Sequence, residues 1–576
     1  MHSGHNRRGR KLLAMVTIGA LILAACGGDD DDTSTDGTTA DSAVVTDAVT
    51  DTEPATTDAP ASTDEPASTE APESTDGPAT TEASAIPEDA DLDGVIRVGY
   101  DMIQGDNGPV WGDPSEMGIL ATTNDPLFYL VYGRMFRLDD DGVLQPELAK
   151  SATVVDPNTI EIELREGVTF SDGSPFDAAA VKSGLDRALA ANNLNAYREE
   201  FFSLASVEVT SPTTVQLSIP DGTAPGWYDA FLHAFEVTIV KDGETDFTKP
   251  IGAGPMVVES FEPGASLVLR RNDQYYAAEN ILPAGLDFVH IDGSAPQTGI
   301  AALQADQIDM VTTQPNQIAA LGGAYSAYNS VSPDRRIQMQ ICKKDGPLAD
   351  PLVRQAINKA IDRDAINELV FYGSAAPSTQ LYPEGHRFNN PEVNDVLAYD
   401  PEGASALLEE AGYADGFTVD IYTIPFAGIP ETAEVLTSQL AEVGITVNII
   451  PTSNNFVTDF LEAQAPGMGI IPASATGISK LDEWNGDSLG NVCSYHDDEL
   501  ADIISQLSVV SASTDEAQDL WNQAADIYVN DALSAFIVFT SQVSAYNNEH
   551  IAGLEALPIG QYAVPNPLTT YVKSGG

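Results

Sequence analysis

Few groups in this 576-residue chain could break bonds, hold a metal or carry a covalent modification: three cysteines, seven histidines and some acid-rich turns. His233, His290, His386, His496 and His550 stand singly. The chain has no His-Glu-x-x-His pair, no Gly-x-Ser-x-Gly elbow, no phosphate loop ending in Gly-Lys-Ser/Thr and no Cys-x-x-Cys. Asp139-Asp140-Asp141-Gly142 carries its acids at adjacent rather than alternating positions, which suits a hairpin turn better than a calcium loop. Cys26 ends an apolar N-terminal run, so Cys342 and Cys493 are the remaining pair. In an exported protein such a pair most simply forms a disulfide, closing a loop of about 150 residues. Two separate free thiols are the alternative.

The chemistry of Cys26 depends on what precedes it. Arg7, Arg8, Arg10 and Lys11 form a basic cap, followed by the apolar run Leu12 to Leu23 and then Ala24-Ala25-Cys26. This order is that of a secretory signal, too short for a permanent span. Leu23-Ala24-Ala25-Cys26 looks like the bacterial lipobox, in which the Cys thiol receives a diacylglycerol and becomes the mature N-terminus. Two acyl chains there would anchor the protein firmly, since each buried methylene adds about 0.8 kcal/mol. An ordinary secretory peptide with an incidental Cys is the competing reading, and Arg7-Arg8 hints at twin-arginine export.

Residues 27–92 carry 19 acidic residues and no Lys or Arg, and consist almost wholly of Asp, Glu, Thr, Ser, Ala, Pro and Gly. Pro54, Pro60, Pro66, Pro72 and Pro78 recur every six residues, but no unit has an apolar face to bury. The composition predicts a disordered tether with a reach of roughly 45 Å.

The whole chain has 26 Lys plus Arg against 87 Asp plus Glu, a net charge of −61. That balance excludes nucleic acid and anionic membrane surfaces as partners, and disfavours anionic ligands relative to neutral or cationic ones. With one apolar segment long enough to engage a bilayer, a multi-span transporter is excluded as well.

Residues 93–576 alternate strand and helix signals. Val95, Ile96, Val98 and Tyr100 open a strand, and Ile160, Ile162 and Leu164 alternate in another. Asp350 and Pro351 supply a cap and a first-turn proline for a helix whose inner face is Val353, Ala356, Ile357, Ala360 and Ile361. A helix through Val435, Leu436, Leu440 and Val443 stops at Gly444 and feeds the strand Ile445, Val447, Ile449, a unit that builds parallel sheet. Ser513 and Glu516 predict a capping box for a helix burying Leu520, Trp521, Ala524, Ile527 and Tyr528.

Several stretches, in order, resemble the extracytoplasmic solute-binding proteins of the peptide and nickel type (family 5) that serve ABC importers. Gln145-Pro146-Glu147-Leu148-Ala149 and Leu164-Arg165-Glu166-Gly167-Val168-Thr169-Phe170-Ser171-Asp172-Gly173-Ser174-Pro175-Phe176 are similar to one paired motif of that family. Pro250-Ile251-Gly252-Ala253-Gly254-Pro255 followed by Arg271-Asn272-Asp273-Gln274-Tyr275-Tyr276 looks like a second. Ile308-Asp309, Asp350-Pro351-Leu352-Val353-Arg354-Gln355-Ala356 through Ile361-Asp362-Arg363, and Leu407 to Tyr413 add to it. Asp172-Gly173 reads as a tight turn, and Gly252 and Gly254 as a crossover that side chains would obstruct.

The resemblance implies an α/β, two-lobed periplasmic-binding-protein-like fold (type II, large cluster C form) with a hinge and a ligand cleft between lobes. The first lobe would combine residues 93 to about 338 with 540–576, and the second would take about 339–539. It also implies a monomer on the outer face of the cell membrane, without catalysis, cofactor or metal, that hands a peptide or similar polar solute to an ABC permease and its ATPase. In the family layout, Trp111, Tyr422 and Trp484 lie in loops facing the cleft, with ordinary packing as the competing role of each. Oligopeptide-binding relatives place an Asp where this chain has Pro472-Ala473-Ser474-Ala475-Thr476-Gly477; the nearest acids here are Asp482 and Glu483. A free peptide amine would be held differently, or the ligand is a sugar, a metal chelate or another solute. A non-transporting sensor and a secreted α/β hydrolase are the rival functions.

Overall fold

The computed structural model describes residues 86–102, 111–114, 124–138, 144–190, 204–232, 237–292, 296–318, 321–425, 428–452, 456–473, 481–485, 491–555, 557 and 563–575. Cys26, the acidic spacer up to residue 85 and the Asp139–Gly142 turn lie outside them. The strands flanking that turn, Phe136–Leu138 and Leu144–Pro146, pair antiparallel. Among the described residues no helix is long and apolar enough to cross a membrane.

The largest sheet among the described residues has eleven strands. At one end Phe417–Thr423 pairs in parallel with Ile445–Pro451 and with Met468–Ala473. Near the other end Val95–Tyr100 pairs in parallel with Gly285–His290 and with Met310–Thr312. The expected helix-to-strand unit forms as Ile429–Glu442 followed by Ile445–Pro451, with Gly444 at φ 88° making the stop. A separate antiparallel sheet orders Ala149–Asp156, Thr159–Leu164, Thr214–Ser218 and Ser206–Ser211. Burial alternates along Thr159–Leu164, as its sequence pattern predicts.

Two long antiparallel strands, Tyr325–Ile341 and Ser534–Asn547, join the ends of the large sheet. Their pairing runs from Tyr325 opposite Asn547 to Gln340 opposite Ser534, with register slips between Val331 and Arg336 and between Ile337 and Gln338. The described cores divide about this pair. One group gathers Ile96, Val98, Phe128 and Phe288, together with Ile160, Ile162, Val215 and Trp227 on the four-stranded sheet. The other gathers Ile337, Ile357, Ile421 and Ile470, together with Tyr382, Trp484, Trp521 and Tyr528. No residue from 342 to 533 enters the first group, and none before 337 enters the second.

Local chemistry explains the elements. Asp350 accepts from the Leu352 N–H at 2.9 Å, Pro351 opens the Pro351–Lys359 helix, and Val353, Ala356 and Ile357 are buried. The Asp515–Asn530 helix corrects one expectation: its cap is Thr514, whose hydroxyl accepts from the Ala517 N–H at 3.1 Å, and not Ser513. With the cap one residue later, the third helical position is Ala517 and no capping box closes. Leu520, Trp521, Ala524 and Tyr528 are buried as expected. A Cβ on Gly252 would stand 2.0 Å from the Val131 carbonyl oxygen, and one on Gly254 2.6 Å from that of Leu130, so the crossover requires glycine at both positions.

The motif arginines have structural work. Arg363 is buried and donates to the carbonyls of Phe536 (2.7 Å), Asn358, Ile361 and Leu397 and to the Asn358 side chain (2.9 Å). Burial lowers its pKa to about 10, so it remains charged at neutral pH. Arg354 likewise donates to the carbonyls of Asp531, Leu348 and Ala349. Asp309 is fully buried; its carboxylate accepts from the Arg97 N–H (2.7 Å) and guanidinium (2.6 Å), and lies 2.5 Å from His550 Nδ1. These bonds fasten the Val95–Tyr100 strand to the segment after Asn547.

Removing that carboxylate leaves Arg97 and its amide without their shared acceptor. Asp309→Ala is expected to lower unfolding stability by about 3 kcal/mol or more, with Asp309→Asn milder, read from urea midpoints at constant m. A second expectation concerns pH. The His386 ring stacks at 4.4 Å on Tyr382, and burial, with Arg387 beside it, lowers its pKa to about 4. The unfolded ring takes a proton near 6.5, so the contribution is complete above that pH and declines as pH falls toward 4. His386→Phe is expected to flatten the loss of stability between pH 6.5 and 4; an unaltered slope would show that this ring does not set it.

Candidate functional site

The Tyr325–Ile341 strand divides its side chains by the period of two. Ile337, Met339 and Ile341 enter an aliphatic core, while Arg336, Gln338 and Gln340 share the opposite face and are also buried. A buried polar row needs partners, and within it Arg336 Nε donates to Gln338 Oε1 at 2.9 Å. Neighbouring strands complete this face. Gln340 lies opposite Gly469 and Ser534, Gln338 opposite Ile471 and Phe536, and Arg336 opposite Ala473. Tyr422 sits opposite Gly469 in the next ladder, so Tyr422, Gly469, Gln340 and Ser534 form one row across four strands.

Aromatic groups wall the row. The Trp484 indole N–H donates to Ser534 Oγ at 2.8 Å, and its ring packs 5.0 Å from that of Tyr528. Tyr422, half-buried, stacks on Phe460 at 5.0 Å, and Phe460 meets Phe456 at 5.2 Å. Partial burial, with Asp420 and Asp459 nearby, raises the Tyr422 phenol pKa, so it is a neutral donor at physiological pH. Phe460 lies in a short π-helical turn, Val457–Glu462, packed against the disulfide between Cys342 and Cys493. Lys343 Nζ donates to the Ile341 and Leu533 carbonyls and stands 5.0 Å from the Tyr495 ring.

Strand direction locates the open end. Phe417–Thr423 and Met468–Ala473 run parallel, and their carboxyl ends point toward Arg336, where the two long strands slip in register. The crevice beyond the carboxyl ends of parallel strands is where α/β sheets bind ligands. The other parallel set ends similarly: the Tyr100 hydroxyl donates to Asn124 Oδ1 at 2.8 Å, and His290 lies 3.7 Å from Asp101. Beside Asn124, Asp125 forms a buried ion pair with Arg134, which also donates to Thr238 Oγ1 at 2.8 Å.

The sequence candidates fall in different places. Trp111 is only 2% exposed; its indole N–H donates to the Phe247 carbonyl at 2.8 Å and its ring stacks on Phe128 at 4.8 Å. Trp484 is 1% exposed. In this arrangement both are core slabs, because each ring is enclosed and its single polar atom has an internal acceptor. Tyr422 alone of the three aromatics keeps surface, and it shares a face with Trp484 but not with Trp111. Asp482 begins the Asp482–Asn485 helix, and its side chain lies outside the described residues, as do residues 474–480 and Cys26. Arg336, Gln338 and Gln340 escaped the sequence reading, although Arg336-Ile337-Gln338-Met339-Gln340-Ile341 alternates polar and apolar residues in plain view. Among the described residues no group of three His, Cys, Asp or Glu side chains could hold a metal.

Known proteins share this fold. Residues 143–484 match the family model described as bacterial extracellular solute-binding proteins, family 5 middle. The glutathione-binding protein GsiB of Salmonella paratyphi A is 30% identical over 329 residues, 55% of this chain and 63% of that protein, so the match spans under two thirds of that relative. Among solved structures, AppA from Clostridium difficile, described as a putative peptide binding protein, superposes with a TM-score of 0.71 at 19% identity, covering 83% of this chain and all of that one. NikA from Brucella suis, solved with Fe(III)-EDTA, gives 0.70 at 22% identity over 82% of this chain and all of its own. The fold is that of the two-lobed type II periplasmic binding proteins, and the chain belongs to the bacterial extracellular solute-binding proteins of family 5.

Proposed function

We propose that this protein captures a small polar solute, a peptide or a molecule of similar chemistry, between two lobes outside the membrane and delivers it intact to an ABC permease driven by a partner ATPase. The observation that carries the reading is the polar row of Arg336, Gln338 and Gln340 on one of the two long strands that join the cores, beside the half-buried Tyr422, with Arg336 opposite the carboxyl end of Met468–Ala473. Backbone-like amides, a phenol and one guanidinium suit carboxylate and peptide groups, and the Tyr422 ring, backed by Phe460, suits the apolar remainder. The partition of cores supports a first lobe of about 93–338 plus 540–576 and a second of about 339–539, hinged at the two long strands. Ligand contacts to both lobes would stabilise the closed form. The relative that binds glutathione, itself a peptide, supports the ligand class. Nothing is catalysed by this chain, which acts as a monomer tethered by residues 27–92 to a lipid on Cys26.

Native mass spectrometry of protein purified without denaturation is expected to reveal a co-purified solute, and glutathione serves as the first probe in calorimetry and small-angle scattering. Binding is expected to shrink the radius of gyration, and Tyr422→Ala to weaken binding about tenfold or more. A radius unchanged at saturation, or a probe returned chemically altered, would sink the reading. Membrane attachment is tested separately: Cys26→Ala is expected to move the protein from the membrane to the soluble fraction, and continued attachment would contradict a lipid on that thiol.

A further inference from the structure

Among the described residues, the chain crosses between its two groups of cores through the long strands Tyr325–Ile341 and Ser534–Asn547, yet the two sides also meet elsewhere. On the first side, the Ala224–Phe231 helix packs Trp227 and Phe231 into the core of the four-stranded sheet. On the second, residues 508–514 link the Asp498–Leu507 and Asp515–Asn530 helices. A Cβ on Gly226 would stand 2.6 Å from the Ser508 carbonyl oxygen and 3.2 Å from the Ser508 Cα, so backbone meets backbone at a distance that only glycine allows. One turn along the helix, Asp229 Oδ2 accepts from the Ala512 N–H at 2.5 Å. Beside this contact, the Arg387 guanidinium donates to the Thr514 carbonyl.

From this geometry we infer that Gly226 and Asp229 form a latch which closes on the Ser508–Ala512 turn and holds the two lobes together. The inference rests on the hinge closure proposed above and adds a second contact that sets how much of the protein is closed before solute arrives. Two features fit a latch better than a fixed support. The contact is polar, a carboxylate received by one backbone amide, and each of these groups finds an equivalent partner in water when the lobes part. It also joins a helix and a turn that are each anchored in a different core, so breaking it leaves both cores whole. A solute that fills the cleft competes against a pre-existing equilibrium, and its apparent affinity scales with the fraction already competent to close.

The test uses the full chain without added solute, comparing the natural protein with Gly226→Val and Asp229→Asn. Three quantities are read: amide exchange of the peptide containing Ala512, the radius of gyration, and the thermal unfolding midpoint. Both variants are expected to exchange the Ala512 amide about tenfold faster or more. Gly226→Val should also enlarge the radius, with a smaller increase for Asp229→Asn and little change in unfolding midpoint. If Gly226→Val does not fold, Asp229→Asn alone decides. Unchanged exchange in both variants overturns the latch, and so does faster exchange with an unchanged radius, which makes the contact a local one. A final arm adds glutathione. Expansion in the variants without compaction of the natural protein keeps the latch and removes glutathione as solute, whereas compaction with inert variants keeps solute capture and removes the latch.

Discussion

Hydrophobic burial in this molecule obeys a boundary. Apolar side chains cluster on either side of two antiparallel strands, and none of the described clusters extends across them. Core packing is stiff and dense, so a continuous core would weld the halves into one body. Backbone hydrogen bonds of a two-strand ladder, interrupted by register slips at residues 331–338, resist separation but tolerate bending. From that division follow the position of the polar row at the junction and the meaning of any contact made away from it.

The division also explains where polar residues are tolerated inside. Arg336, Gln338 and Gln340 occupy the non-aliphatic face of a strand whose other face feeds a core, so the same six residues present an apolar face to packing and a polar face to the junction. Arg354 and Arg363 serve neither; they neutralise clusters of backbone carbonyls at helix ends and strand starts, an internal counterpart of C-terminal capping. The glycines of the Gly252–Gly254 crossover do the converse, removing side chains where two stretches of backbone must touch.

How much of this was legible in the sequence depended on how local the cause was. The Pro351–Lys359 helix, the Gly444 stop and the Val95–Tyr100 strand rest on neighbouring residues, and the pattern gave them correctly. The cap of the Asp515–Asn530 helix falls one residue later than the pattern suggests, because Ser513 and Thr514 are adjacent and both able caps. Trp111 and Trp484 illustrate the limit at the site. An aromatic residue in a predicted loop carries no mark distinguishing a ligand wall from a core slab; that depends on whether Phe128 or Tyr528, distant in sequence, arrives against its face. The Arg336 row was readable as a strand with a polar face, but not as a junction, since the partners that make it one lie about 130 and 200 residues away.

The interior arginines carry a last implication for a protein with 87 acids and 26 bases. Arg134, Arg336, Lys343, Arg354 and Arg363 are all enclosed, so part of an already small cationic complement is withdrawn from the exterior. Copies of the protein therefore meet as strongly anionic surfaces and repel one another within a Debye length of about 8 Å at physiological ionic strength. Sheathed in its own anionic field, each molecule holds its neighbours at a distance.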